Sequence, residues 1–154
     1  GSCFGRLIAV TEPLLRGRWL GTLGAFEDPV LETRALEYMV SDKVPATEGM
    51  QILRGFGGKS EAASHRLADW MMANYEKIAA RVPPPMLRFM PMMGSGCSEE
   101  RLKATQAFYA DPARAVPGVD KTLERVADQV HGCLSLRERE GKAVSEFLRS
   151  LGAK

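Results

Sequence analysis

Few side chains in this chain can do acid–base or metal chemistry. There are two histidines, His65 in HRLAD and His131 in HGCLS, and three cysteines, Cys3, Cys97 and Cys133. A helical zinc protease needs two histidines one turn apart with a glutamate between them, so that both imidazoles and the base face the metal. Neither histidine has such a neighbour, and each reads as a surface or packing residue. The cysteines are odd in number and widely spaced, with no C-x-x-C, which reads as free buried thiols rather than a disulfide framework. No G-x-S-x-G elbow or cysteine-protease signature supports a nucleophile. The segment GFGGKS at 55–60 imitates a phosphate loop, but the required spacing puts Leu53 where a glycine belongs. It reads better as a helix stop at Gly57-Gly58 followed by Ser60 as an N-cap. No catalytic and no metal-ligating residue is assigned, and no cofactor is expected in the chain itself.

Two arginines remain as binding candidates. Arg54 and Arg88 lie at the ends of short apolar helices, next to loops, where a guanidinium can meet a peptide carboxylate with two hydrogen bonds. The plainer reading has them capping helix carbonyls or solvated. Met86, Met90, Met92 and Met93, with Met71 and Met72, read first as core filler and second as an adaptable binding surface.

The elements that would position these residues are helical. Residues 59–82 read as one amphipathic helix, with Ala63, Leu67, Trp70, Met71, Asn74, Ile78 and Val82 on one face. The Pro83-Pro84-Pro85 run stops it. Thr11 and Asp28 read as N-caps, each followed within two residues by a proline. The first of these helices carries Leu15, Trp19, Leu23 and Phe26, and is weakened by Gly17, Gly21 and Gly24 unless a neighbour crosses closely there. Cys3 to Val10 reads as a partial helix, and residues 45–56 as a short one. Met86 to Met93 reads as a kinked helix or two turns. Ser98 starts a compact helix, Val119 to about Arg139 forms a long one, Gly141 marks a break, and Val144 to Leu151 closes the chain. No period-two alternation persists. The class is therefore all-α: antiparallel helix pairs stacked as a short superhelical, HEAT/armadillo-like array, with a closed bundle as the alternative.

Composition agrees. The 154 residues are 45% hydrophobic and 26% charged, which suits one globular domain over residues 1–154. A net charge of +2 is too small to demand nucleic acid or an anionic membrane. No apolar run approaches the roughly 20 residues of a membrane helix, and no signal peptide is visible in residues 1–10. The compartment is left open. The opening Gly1-Ser2 reads as a cloning scar.

The order of segments resembles a known module. It is carried by LGTLGAFEDPVLETRALEYMVSDKV (20–44), GMQILRGFGG (49–58), LADWMMANYEKIAARV (67–82), GSGCSEERLKATQAFYAD (94–111) and VPGVDKTLERVADQVHGCLSLRERE (116–140). Together these resemble the C-terminal helical domain of zinc aminopeptidases of the puromycin-sensitive and endoplasmic-reticulum type. The resemblance implies a parent enzyme with a β-rich N-terminal domain and a zinc-bearing, thermolysin-like catalytic domain. It also implies a C-terminal superhelix of helix pairs that encloses the substrate chamber. H-E-x-x-H and G-A-M-E-N are absent here, so no catalytic or zinc-binding role transfers, and the fragment is expected to be inactive alone.

The resemblance thus predicts a non-catalytic wall of the chamber that helps select peptides. Its implied partners are the catalytic domain of the same parent and peptide substrate. One rival is a free-standing helical-repeat scaffold that binds another protein. A second is a small helical enzyme using His65 or His131 as base, which requires that histidine to lie in a cleft beside an acid. Self-association through residues 3–26 is a further expectation, because a severed helix stack exposes its first face.

Overall fold

A computed structural model of the chain describes Gly5, residues 12–57 and residues 60–152. The partial helix expected over Cys3–Val10 and the Thr11 cap lie outside the described residues, save for Gly5. Among the described residues there is no strand, and the fold is all-α. The chain divides into two compact units, Gly1–Pro83 and Pro84–Lys154.

The first unit begins with α1 (Pro13–Gly24) and α2 (Pro29–Met39). Glu12 caps α1: its carboxylate accepts from the Leu14 and Leu15 amides. Asp28 caps α2 in the same way, accepting from Val30 and Leu31, with Pro29 in the first turn where its missing N–H is harmless. The stripe expected on α1 is only partly inward. Leu20, Leu23 and Gly24 are buried, whereas Leu15 and Trp19 are exposed. Residues 45–56 form two single turns rather than one helix, α3 (Ala46–Gly49) and α4 (Gln51–Arg54).

The long helix expected over 59–82 is also divided. Ser60 caps α5 (Glu61–Ala73) by accepting from the Ala63 amide, and α6 (Tyr75–Ala79) follows. The break is at Asn74, whose backbone leaves helical geometry (φ −112°, ψ 19°). Its side-chain amide donates to the Trp70 carbonyl, a local bond that competes with the regular ladder. Leu67, Met71, Tyr75, Ile78 and Val82 are nevertheless buried as their spacing requires.

Among the described residues, one charged side chain is buried in this unit. Glu32 on α2 is 4% exposed, and its Oε2 accepts from Arg66 Nε and Nη2 on α5 at 3.0 and 2.9 Å. Removing the arginine takes two charge-assisted hydrogen bonds from a buried carboxylate, and breaking a buried pair by removing one partner typically costs about 3–5 kcal/mol. Arg66 is itself partly exposed, so water can replace part of it. Arg66→Met is expected to lower unfolding free energy by about 2 kcal/mol in urea titration, and adding Glu32→Gln should recover part of the loss. A loss below about 0.5 kcal/mol would show that the pair contributes no more than a surface bridge.

The second unit contains α7 (Pro84–Leu87), a 3-10 turn at Met90–Gly94, α8 (Glu99–Tyr109), a 3-10 turn at Pro112–Arg114, and α9 (Val119–Ser150). The methionine stretch is therefore two short turns. Gly118, at φ 87°, supplies the left-handed residue that launches α9. The expected break at Gly141 is absent, and α9 runs through it for 32 residues. A single glycine costs only about 1 kcal/mol of helix propensity, and no proline or capping residue enforces a stop there.

Leu102, Val126 and Val130 form a buried cluster in this unit, with Met92, Ala127 and Leu134 packed against them. Cys97 lies before α8 and is disulfide-bonded to Cys133 on α9, with Cα atoms 5.3 Å apart. This corrects the expectation of free thiols. Glu99 near the start of α8 reaches His131 on α9, and Leu102 further along packs against Val126 and Val130. The two helices are thus antiparallel, and that arrangement brings residues 36 positions apart into bonding range.

Candidate functional site

A groove in the first unit gathers several charged side chains. It encloses about 710 Å³ between α1 on one side and α3 and α4 on the other. Arg16, Gly17, Arg18 and Gly21 line it from α1, and Thr47, Glu48, Gln51 and Arg54 line it from the facing turns.

The sequence of α1 explains the opening. Gly17, Gly21 and Gly24 recur at four- and three-residue steps and so share one face. A Cβ added at Gly24 would collide with the Ile52 carbonyl, one at Gly21 would lie 3.7 Å from the Gln51 oxygen, and one at Gly17 would meet nothing within 4 Å. Around this stripe the helices are thus in contact at Gly24 and separate progressively toward Gly17. The open end is where the charges stand.

Arg16 Nε donates to Glu48 Oε2 at 2.6 Å, linking α1 to α3. That hydrogen bond holds the Arg16 guanidinium even more firmly protonated than an ordinary arginine, with burial working against it. Arg18 and Arg54 complete a set of three guanidiniums against the single Glu48 carboxylate. The groove is therefore suited to an anionic group of peptide size, since a guanidinium fork matches a carboxylate in both shape and charge.

Arg54, a candidate from the sequence, lines this groove. Arg88 does not. It belongs to the second unit, where its guanidinium stacks 4.7 Å over the Phe89 ring. Arg16 and Arg18 were not singled out from the sequence. The signal that could have found them is the R-G-R triplet at 16–18, whose arginines flank Gly17 on the stripe it shares with Gly21 and Gly24.

The histidines form no comparable site. His65 lies 4.0 Å from Glu61 one turn back on α5, and His131 lies 3.4 Å from Glu99. Each has an acid beside it, yet neither lines the groove. Among the described residues no group of three or more His, Cys, Asp or Glu side chains could hold a metal ion, and no helix is long and apolar enough to cross a membrane.

The family profile described as ERAP1-like C-terminal domain matches residues 9–132, well over half of the chain. No curated protein matches it.

Proposed function

The chain belongs to the ERAP1-like C-terminal domain family, and on that premise we propose that it is a non-catalytic segment of the parent aminopeptidase's superhelix. In this reading it walls the substrate chamber, pairs with the parent's zinc-bearing catalytic domain and helps select peptides. The α1–α4 groove then meets the C-terminal carboxylate of a peptide whose amino end lies at the distant catalytic centre. The observation that supports this is the three-arginine lining of an open groove of peptide-residue dimensions. Arg54 and Arg18 make the contact, while Arg16 is already engaged by Glu48 and positions the groove wall. Stacked helix pairs suit such a wall, because contacts between neighbours let small shifts add into a larger opening.

The test is an NMR titration of this chain with a short apolar peptide, once with a free C-terminal carboxylate and once amidated. The free acid is expected to shift the amides of residues 14–21 and 47–54. Charge-assisted hydrogen bonds contribute about 1.5–3 kcal/mol, so amidation or Arg54→Ala should each weaken binding by at least about tenfold. Equal binding of the two peptides, or an unchanged affinity in Arg54→Ala, would refute carboxylate recognition here.

A further inference from the structure

The three guanidiniums of the α1–α4 groove are not equivalent. Arg18 and Arg54 are exposed, and among the described residues neither has an ion-pair partner. Arg16 differs on both counts. Its side chain is only 20% exposed, and its Nε already donates to Glu48 Oε2 at 2.6 Å. A carboxylate gains most from a guanidinium that is partly shielded from water. The best-shielded arginine in the groove is therefore occupied by a carboxylate of the chain itself.

The backbone beneath Glu48 is fixed, whereas its side chain is not. The Glu48 and Gly49 amides both donate to the Pro45 carbonyl, which closes the turn of α3. Gly49 is buried, and a Cβ there would come within 2.9 Å of the Met39 carbonyl oxygen, so the turn sits against the end of α2. The Glu48 side chain is 39% exposed, and among the described residues its Oε1 has no partner. The carboxylate can leave Arg16 without moving the turn.

We propose that Glu48 is a built-in competitor, which stands in for the ligand's carboxylate at Arg16 and sets how weakly the groove binds. The proposal rests on recognition of a peptide carboxylate by this groove. Glu48 acts in two ways. It fills Arg16 at the effective concentration of a tethered group, about millimolar or higher. It also places a like charge beside any anion bound to Arg18 and Arg54. A groove built this way holds a peptide loosely and lets it leave, because affinity among related complexes is set mainly by the rate of departure. The fold does not need the pair. A partly exposed ion pair contributes little to stability, and α1 is held to the α4 segment by the backbone crossing at Gly24 and Gly55.

The test titrates a short apolar peptide, as the free acid and as the amide, into the unsubstituted chain, Glu48→Gln and Glu48→Ala, with amide NMR shifts as the readout and thermal melts to verify folding. Glu48→Gln removes the like charge and should bind the free acid at least about threefold tighter. Glu48→Ala also vacates Arg16 Nε and should bind it at least about tenfold tighter. Affinity for the amide should not change in either variant. Adding Arg16→Ala to Glu48→Ala should remove the extra gain that Glu48→Ala shows over Glu48→Gln. Where the unsubstituted chain prefers the free acid, two results overturn the proposal and leave carboxylate recognition standing: free-acid affinity unchanged or weaker in both Glu48 variants, or the full gain of Glu48→Ala surviving Arg16→Ala. If neither the unsubstituted chain nor Glu48→Ala distinguishes the two peptides, carboxylate recognition itself fails and the proposal falls with it.

Discussion

Reducing the Cys97–Cys133 bond is expected to lower stability by about 4 kcal/mol, the loop-closure entropy released when a ring of 36 residues opens in the unfolded chain. The effect is concentrated in the second unit. Leu102, Val126 and Val130 form a buried cluster there, and the disulfide is the covalent tie between the start of α8 and the midpoint of α9. In a thermal melt with and without dithiothreitol the loss corresponds to roughly 10–15 °C for a chain of this size. Cys133→Ala should melt with the reduced protein and gain nothing from oxidation. Coincident melts of oxidised and reduced protein would show that helix packing alone holds α8 to α9. A bond of this kind persists in oxidising compartments and is lost where glutathione keeps thiols reduced, so stability of the domain depends on where its parent resides.

What the sequence made legible was whatever is decided locally. Asp28-Pro29, Ser60 and Ser98 fix helix starts because each side chain bonds an amide two or three residues ahead. Buried positions at helical spacing, such as Leu67, Met71, Ile78, Val126 and Val130, were equally readable. The rest depends on contacts between distant residues. A pattern at 59–82 cannot tell that Asn74 will turn its amide back onto Trp70. Gly141 looks like a stop until one sees that nothing ends the helix there. The pairing of Cys97 with Cys133 needs α8 to fold back on α9, which no spacing rule supplies. The groove was half legible: Arg54 stood out beside its loop, while Arg16 and Arg18 were hidden in a helix whose glycines read as weakness.

Where α1 crosses the α4 segment, an added methyl group has a large expected effect. At Gly24 an added Cβ would overlap the Ile52 carbonyl oxygen and sit 3.1 Å from Phe56 Cδ2. At Gly55, just past α4, it would overlap the Gly21 carbonyl oxygen and lie 2.6 Å from the Ala25 nitrogen. The obstructing atoms at both positions are chiefly backbone, so no rotamer relieves them, and α1 and the α4 segment must move apart. That movement unpacks Leu20, Leu23 and Ile52, all fully buried. Gly24→Ala and Gly55→Ala are each expected to destabilise the chain by about 3 kcal/mol or more, at the upper end of overpacking effects. Gly17→Ala should do the reverse. It has open space around it, and alanine raises helix propensity by up to about 1 kcal/mol. Denaturant midpoints of the three variants separate the two roles of one stripe. A Gly55→Ala protein as stable as the unsubstituted chain would show that the two elements are not in backbone contact and that this crossing does not hold the groove open. Because that crossing sets the splay between α1 and α4, the destabilised variants should also lose the preference for the free-acid peptide, while Gly17→Ala, whose methyl enters the groove floor, weakens it without loss of stability.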